Sequence, residues 1–221
     1  MGPAHVVGSL GAFWTTERVV MRVILKSNAI RLGLAMALAA LPAAAFAHPQ
    51  IGSATGFLTG FLHPISGLDH IIAMVAVGLW GAQLGPPAIW MLPVTFPIVM
   101  AFGGFLGLVG VPVPYVEIGI ALSGVLLGAA ILTESRPPLW IAAALIAIFA
   151  ICHGHAHGAE LPPGTSGLTY SIGFVAATGL LHACGVGIGT IHRWSYGQLA
   201  LRALGGLISV GGVFFLAQAF E

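Results

Sequence analysis

Two histidines and an aspartate lie close together at the start of an apolar stretch that reads HPISGLDHIIAMVAVGLW over residues 63–80. They are His63, Asp69 and His70. An ionisable side chain at membrane depth costs about 3 kcal/mol or more unless something pairs with it, so three of them together indicate a functional site. Two imidazole nitrogens and one carboxylate oxygen suit borderline divalent transition metals, whereas magnesium and calcium favour oxygen ligands. The sequence therefore predicts a transition-metal site.

A turn must bring these residues together. Pro64 lacks an amide hydrogen and Gly67 loosens the backbone, so His63 is expected before a turn and Asp69 and His70 in the first turn of the next helix. Adjacent positions on a helix point about 100° apart, so the two helical residues alone would hold an ion poorly. A third donor from outside the helix completes the predicted pocket.

The aspartate has an alternative explanation. Ser66 and Asp69 have the spacing of a capping box, in which the two side chains bind the free amides at a helix start. Capping would account for the carboxylate, but it would explain neither histidine.

A second histidine cluster follows near residue 155. On a helix, His153, His157 and Glu160 have the spacing i, i+4, i+7 and share one face, while His155 points roughly the opposite way. One face of this helix is therefore predicted to hold an ion. Two alternatives remain: a frayed segment that collects metal loosely at a pore entrance, or a solvated loop with no role in binding.

Isolated residues offer further possible ligands. His182 lies inside an apolar stretch with no neighbouring charge; a histidine in lipid needs a partner, and the first cluster is the natural one. His48 binds metal if it forms the mature N-terminus, or is an ordinary polar end. Cys152 and Cys184 are either soft ligands or, more simply, small buried hydrophobic residues.

The composition is that of a membrane protein. Hydrophobic residues make up 58% of the 221 and charged residues only 6%, against about 25% charged in an ordinary soluble domain. The chain has no basic patch for nucleic acid. The predicted fold class is all-α, namely a polytopic membrane helix bundle of about six transmembrane helices after a cleaved signal peptide. The predicted spans, each near the length of about 20 residues that a bilayer needs, are 67–84, 88–110, 115–133, 138–157, 167–190 and 198–219.

Residues 50–62 are too short for a span. They are expected to form a half-helix or a surface helix that brings His63 to the site, because broken helices are tolerated at membrane depth where they line a cavity.

The N-terminal part resembles a secretory signal. Basic residues, an apolar core and Ala-Phe-Ala at 45–47 predict a signal peptide over 21–47, whose cleavage leaves His48 at the mature N-terminus; the alternative is a retained anchor. Residues 1–47 are thus predicted to be an N-terminal extension and signal peptide, and residues 48–221 a single transmembrane domain.

Three arginines predict the orientation. With the mature N-terminus outside, Arg136, Arg193 and Arg202 all lie on the cytoplasmic side, as the positive-inside rule requires. Both histidine clusters then lie on the outer side, where an incoming ion arrives. The predicted location is the bacterial inner (cell) membrane, with a periplasmic N-terminus.

Three motifs resemble those of a known family. HPxxGxDHxxAMxxVGxW from residue 63, CHGHAHGAELP at 152–162 and GFVAATGLLHACGVGIG at 173–189 are similar, in the same order, to the motifs of the HupE/UreJ family of nickel and cobalt permeases. The resemblance covers the chain from about residue 48 onward. It implies an integral membrane carrier that takes up nickel or cobalt for metalloenzymes such as hydrogenase or urease.

The prediction is therefore a permease and not an enzyme. A divalent ion, nickel or possibly cobalt, passes through His63, Asp69 and His70, with His157 and His182 as further ligands. The metal is cargo and no cofactor is predicted; the partners are the ion and the lipid bilayer. Two alternatives remain: an intramembrane zinc-dependent hydrolase that uses the same residues, and a metal sensor or assembly factor, which would bind metal without flux.

Overall fold

The computed structural model describes residues 56–161 and 164–220. Within these ranges the regular structure is helical, which confirms the all-α prediction. A short 3₁₀ helix, Thr190–Arg193, follows the sixth of seven α-helices. In chain order the α-helices are α1 (Gly56–Ser66), α2 (Leu68–Leu84), α3 (Ala88–Leu108), α4 (Val116–Thr133), α5 (Leu139–Ala159), α6 (Gly167–Gly189) and α7 (Ser195–Gln218). The predicted signal peptide, its cleavage site and His48 lie outside the described residues.

Five of these helices are long and apolar enough to cross a membrane, namely α3 to α7, with the 3₁₀ helix extending α6. The first two helices pass the same test only as a pair, because α2 alone has 17 residues. They are bent by 81° where they meet. The described chain thus has five candidate spans, or six if the bent pair counts as one span. The sequence predicted six, but with residues 67–84 as a span without the preceding helix.

The helix that precedes this bend overlaps the segment 50–62, for which the sequence predicted a half-helix or a surface helix. It begins at Gly56 and continues through His63 and Pro64 to Ser66. Pro64 therefore lies inside α1, and the chain turns at Gly67, whose extended backbone (φ −97°, ψ 121°) precedes α2. As predicted, His63 comes before the turn, and Asp69 and His70 lie in the first turn of the next helix.

The bundle is built from closely packed helix pairs: α3 with α5, α4 with α7, and α6 with both α1 and α2. Glycines allow the backbones to approach, since a Cβ on Gly154 of α5 would overlap the carbonyl of Met100 in α3. In the same way, a Cβ on Gly128 of α4 would lie 2.7 Å from the carbonyl oxygen of Gly205 in α7. Small residues at such crossings favour helix association in lipid because they let the helices pack closely. Apolar side chains gain little by moving from lipid to a helix contact, since both surroundings are apolar.

One end of α4 is held by side chains from its neighbours. Trp80 Nε1 of α2 donates to the carbonyl of Ser135 at 3.0 Å, and Arg202 Nε of α7 donates to that of Leu132 at 3.1 Å. Carbonyls at a helix C-terminus have no partner within the helix, so these bonds satisfy groups that would otherwise be left free. They fix the end of α2 that lies away from His70.

Candidate metal centre

Three histidines from three different helices converge at the bend between α1 and α2. His63 is in the last turn of α1, His70 in the first turn of α2, and His157 in the last turn of α5. One ligand nitrogen of each lies within 4.8 Å of those of the others. The ring centroid of His157 is 4.6 Å from that of His63 and 4.6 Å from that of His70. We call these residues the outer site, after the side of the membrane on which the sequence predicts them.

The spacing of two nitrogens suits shared coordination. Nε2 of His70 and Nε2 of His157 are 2.8 Å apart, a hydrogen-bonding distance. Two nitrogens that each lie about 2.1 Å from one ion at a right angle would be about 3.0 Å apart. A shift of a few tenths of an ångström, with transfer of the proton on Nε2 of His157 to its Nδ1, would therefore let both Nε2 atoms bind one ion. Both imidazoles are buried, so an ion bound between them would lose much of its water.

Asp69 orients one of these histidines. Its Oδ1 accepts a hydrogen bond from Nδ1 of His70 at 2.9 Å. With the proton on Nδ1, the lone pair of His70 is on Nε2, the nitrogen that faces His157. Carboxylates that bind the second nitrogen of a ligating histidine in this way fix its tautomer and increase its basicity. The structure thus gives Asp69 a contact that the sequence did not predict, beside its predicted role as a ligand.

The capping-box alternative for Asp69 is wrong. Gly67 is the residue that precedes α2, and no side chain caps the amides there. The hydroxyl of Ser66 donates instead to the carbonyl of His63 at 2.8 Å, within α1. A capping box needs a serine at the cap position with a helical acidic residue three positions later, and the helix break places Ser66 one residue too early.

The second histidine cluster is helical. Because α5 continues to Ala159, the alternative of a solvated loop is wrong, and so is fraying of this segment. His153 and His157 share the buried face, as their spacing predicts, while Nε2 of His155 donates to the carbonyl of Val111 at 2.8 Å. Glu160 is exposed at the end of the helix. Of the predicted ion-binding face, His157 thus joins the outer site, and His153 lies beside it, 5.3 Å from His70 between ring centroids.

His182 lies deeper in the bundle than the sequence suggested. It is buried on α6, where Nδ1 donates to the carbonyl of Pro93 at 3.1 Å and the ring packs against Phe96 of α3, with centroids 5.4 Å apart. Within the described residues, the nitrogens that converge at the outer site belong to His63, His70 and His157, and His182 is not among them. A role for His182 in metal binding stays a prediction.

Sequence reasoning missed several residues around the histidines. The ring of Phe174 contacts His157 at 4.3 Å and that of Phe96 contacts His153 at 5.6 Å, both between centroids. Oγ of Ser123 lies 3.3 Å from Nε2 of His153. No pattern distinguishes these phenylalanines from others in apolar helices. A buried serine within an apolar span was an available signal, because a polar group in lipid needs a partner.

A cavity of about 430 Å³ borders the outer site. It lies between α3, α5 and α6, and most of its lining is apolar, including Phe105, Leu161 and Phe174. His157 contributes to its wall. One histidine of the outer site thus borders a space in the bundle that is large enough for small molecules or water.

These observations define a class: a multi-pass membrane protein with a buried histidine site at a broken helix. The sequence model of the HupE / UreJ protein family matches residues 35–215, and the chain belongs to that family. It is similar to "Protein HupE" from Rhizobium leguminosarum bv. viciae, with 44% identity over 180 residues, which is 81% of this chain and 94% of the relative. No solved structure matches the chain.

Proposed function

We propose that this protein is a permease that carries a divalent transition metal, nickel or cobalt, across the bacterial cell membrane to supply the maturation of enzymes such as hydrogenase or urease. The observation that carries the proposal is the convergence of three imidazoles, from α1, α2 and α5, at the break of a helix inside an apolar bundle. Membership of the HupE / UreJ family supports it. Imidazole is a donor that suits nickel and cobalt, and nitrogen-rich sites disfavour magnesium and calcium.

Transport requires that binding be reversible, and the outer site suits this. Each histidine belongs to a different helix, and His63 sits on the 11-residue α1, which is bent away from α2. An ion held by separate helices loses its ligands one at a time as the helices move. Discontinuous helices at binding sites are a recurrent feature of membrane carriers. A storage or sensing site would have no need of ligands on a bent, short helix.

An uptake assay tests the proposed function. Cells that lack their own nickel uptake and express this chain should accumulate radioactive nickel or cobalt, and each metal should compete with the other. Replacing His157 by Ala should lower uptake at least about tenfold, because the remaining ligands bind less tightly and dehydrate the ion less well. His155→Ala is the matched control: it lies two residues away on the same helix but binds a backbone carbonyl outside the outer site.

The proposal fails if cells with the parent chain accumulate no more metal than cells without it. It also fails, in its choice of site, if His157→Ala takes up metal like the parent while His155→Ala is inactive and both proteins reach the membrane in equal amounts.

We also propose that the outer site faces the periplasm. The arginine distribution supports it, since Arg136, Arg193 and Arg202 all follow the positive-inside rule in that orientation. In a chain with Cys152 and Cys184 replaced by alanine, single cysteines near residues 136 and 164 should react with a membrane-impermeant reagent from opposite sides. Position 164 should be labelled in intact spheroplasts and position 136 only after lysis. Labelling of both from the same side would contradict the six-span topology.

A further inference from the structure

The inner face of α6 carries polar atoms beyond the outer site. Phe174, Thr178 and His182 are four residues apart and so lie on one face of the helix, with about 6 Å along the axis between successive members. Phe174 contacts His157 of the outer site, so Thr178 and His182 lie one and two turns further along the bundle. Thr178 is 0% and His182 1% exposed. The hydroxyl of Thr178 and Nε2 of His182 have no hydrogen-bond partner among the described residues.

Helix α5 has the same feature. His153 lies one turn before His157, 0% exposed, and its Nδ1 also lacks a hydrogen-bond partner within the part of the chain that the structure describes. Ser123 donates its own hydrogen to the carbonyl of Ile120 at 2.6 Å, so its oxygen accepts from Nε2 of His153. The proton is then on Nε2, and the lone pair of His153 is on the unpaired Nδ1.

His182 has its tautomer fixed in a similar way by a helix defect. Pro97 has no amide hydrogen, so it cannot donate to the carbonyl of Pro93, which precedes it by four residues in α3. Nδ1 of His182 donates to that carbonyl instead, at 3.1 Å. The lone pair of His182 is therefore on the unpaired Nε2. A histidine that donates one ring nitrogen to a backbone carbonyl and keeps the other free has the arrangement of a metal ligand.

We propose that His153, Thr178 and His182 form an inner metal-binding station that receives the ion from the outer site. The donors are Nδ1, Oγ1 and Nε2, respectively. His153 connects the two stations, because its ring lies 5.3 Å from that of His70 between centroids. Phe96 packs against the rings of both His153 and His182, so one side chain of α3 contacts both proposed histidine ligands. The inference rests on the proposed function and adds a second stop on the same path.

The test uses one substitution that separates binding from structure. In His182→Asn the side-chain amide takes the place of Nδ1 and still donates to the carbonyl of Pro93, but nothing replaces Nε2. Nickel uptake should fall at least about tenfold, and the purified full-length protein in detergent should bind one Ni²⁺ fewer per chain at saturation. The matched control is His192→Asn, since Nδ1 of His192 also donates to a backbone carbonyl, that of Gly189 at 2.9 Å.

A second substitution separates a structural role from a binding role, because it is expected to change thermal stability and nickel uptake differently. Thr178→Val keeps the shape of the side chain and removes a buried hydroxyl that has no partner among the described residues. Removing an unsatisfied polar group preserves or raises thermal stability, whereas losing a ligand lowers uptake. We therefore expect reduced nickel uptake by a protein at least as stable as the parent. Thr190→Val, which removes a hydroxyl bonded to the carbonyl of Gly187 at 2.7 Å, is the control.

Parent-level uptake and an unchanged number of bound Ni²⁺ ions in both His182→Asn and Thr178→Val would overturn the inner station and leave the outer site intact. If His182→Asn fails to fold, Thr178→Val decides alone by its uptake. A parent chain that takes up neither nickel nor cobalt would instead refute the proposed function, so the two failures are distinguishable.

Discussion

Asp69→Asn should lower nickel uptake by about 10- to 100-fold while the protein still reaches the membrane in normal amounts. The substitution keeps the size of the side chain and can keep a hydrogen bond with His70. It removes the negative charge that balances a divalent ion in an apolar bundle and that increases the basicity of His70 through the 2.9 Å contact with Nδ1. Because the carboxylate is only 29% exposed, solvent screens this charge weakly.

Two further variants make this prediction specific. Asp69→Glu, which retains the charge, should recover part of the uptake that Asp69→Asn loses. Glu134→Gln changes a carboxylate to an amide at the end of α4 that lies away from the outer site, and should transport like the parent. Initial rates of radioactive nickel uptake, normalised to the amount of protein in the membrane, measure all three. Equal rates for the parent and Asp69→Asn would remove Asp69 from the site.

Gly185→Ala should destabilise the bundle by about 3 kcal/mol. The added Cβ would overlap the carbonyl oxygen of Val75 in α2 and would lie 3.1 Å from Cα of Gly78. Both are backbone atoms, which cannot rotate away as a side chain can, so α2 and α6 must separate. The thermal unfolding midpoint of the purified protein in detergent should fall clearly, and uptake should fall with it because α2 carries His70.

The same helix provides the control. Gly187 lies two residues further along α6, and a Cβ added there has nothing within 4 Å among the residues described. Gly187→Ala should therefore preserve stability or raise it by up to about 1 kcal/mol, the difference in helix propensity between the two residues. If the two variants unfold at the same temperature, close packing of α2 on α6 does not hold the bundle together.

The helices were predictable from sequence because the bilayer fixes their length. Each span needs about 20 apolar residues, and Pro or Gly stands near most boundaries, so α2 to α7 match the predicted ranges within a few residues. Pro64 and Gly67 likewise predicted a turn between His63 and the helix that carries Asp69 and His70, and the structure places that turn at Gly67. The capping box failed because sequence spacing does not show whether Ser66 or Gly67 precedes the helix.

The partners of each histidine were decided by the tertiary structure. His70 and His157 are 87 residues apart in sequence, and their contact depends on α5 packing near the bend between α1 and α2. In a helix that is apolar all round, no polar face marks the side that points inward. Helix pairing in lipid depends instead on small residues, which the sequence lists without their partners. The sequence therefore determined the spans and the candidate ligands, and only the close packing at glycines decided which histidines meet.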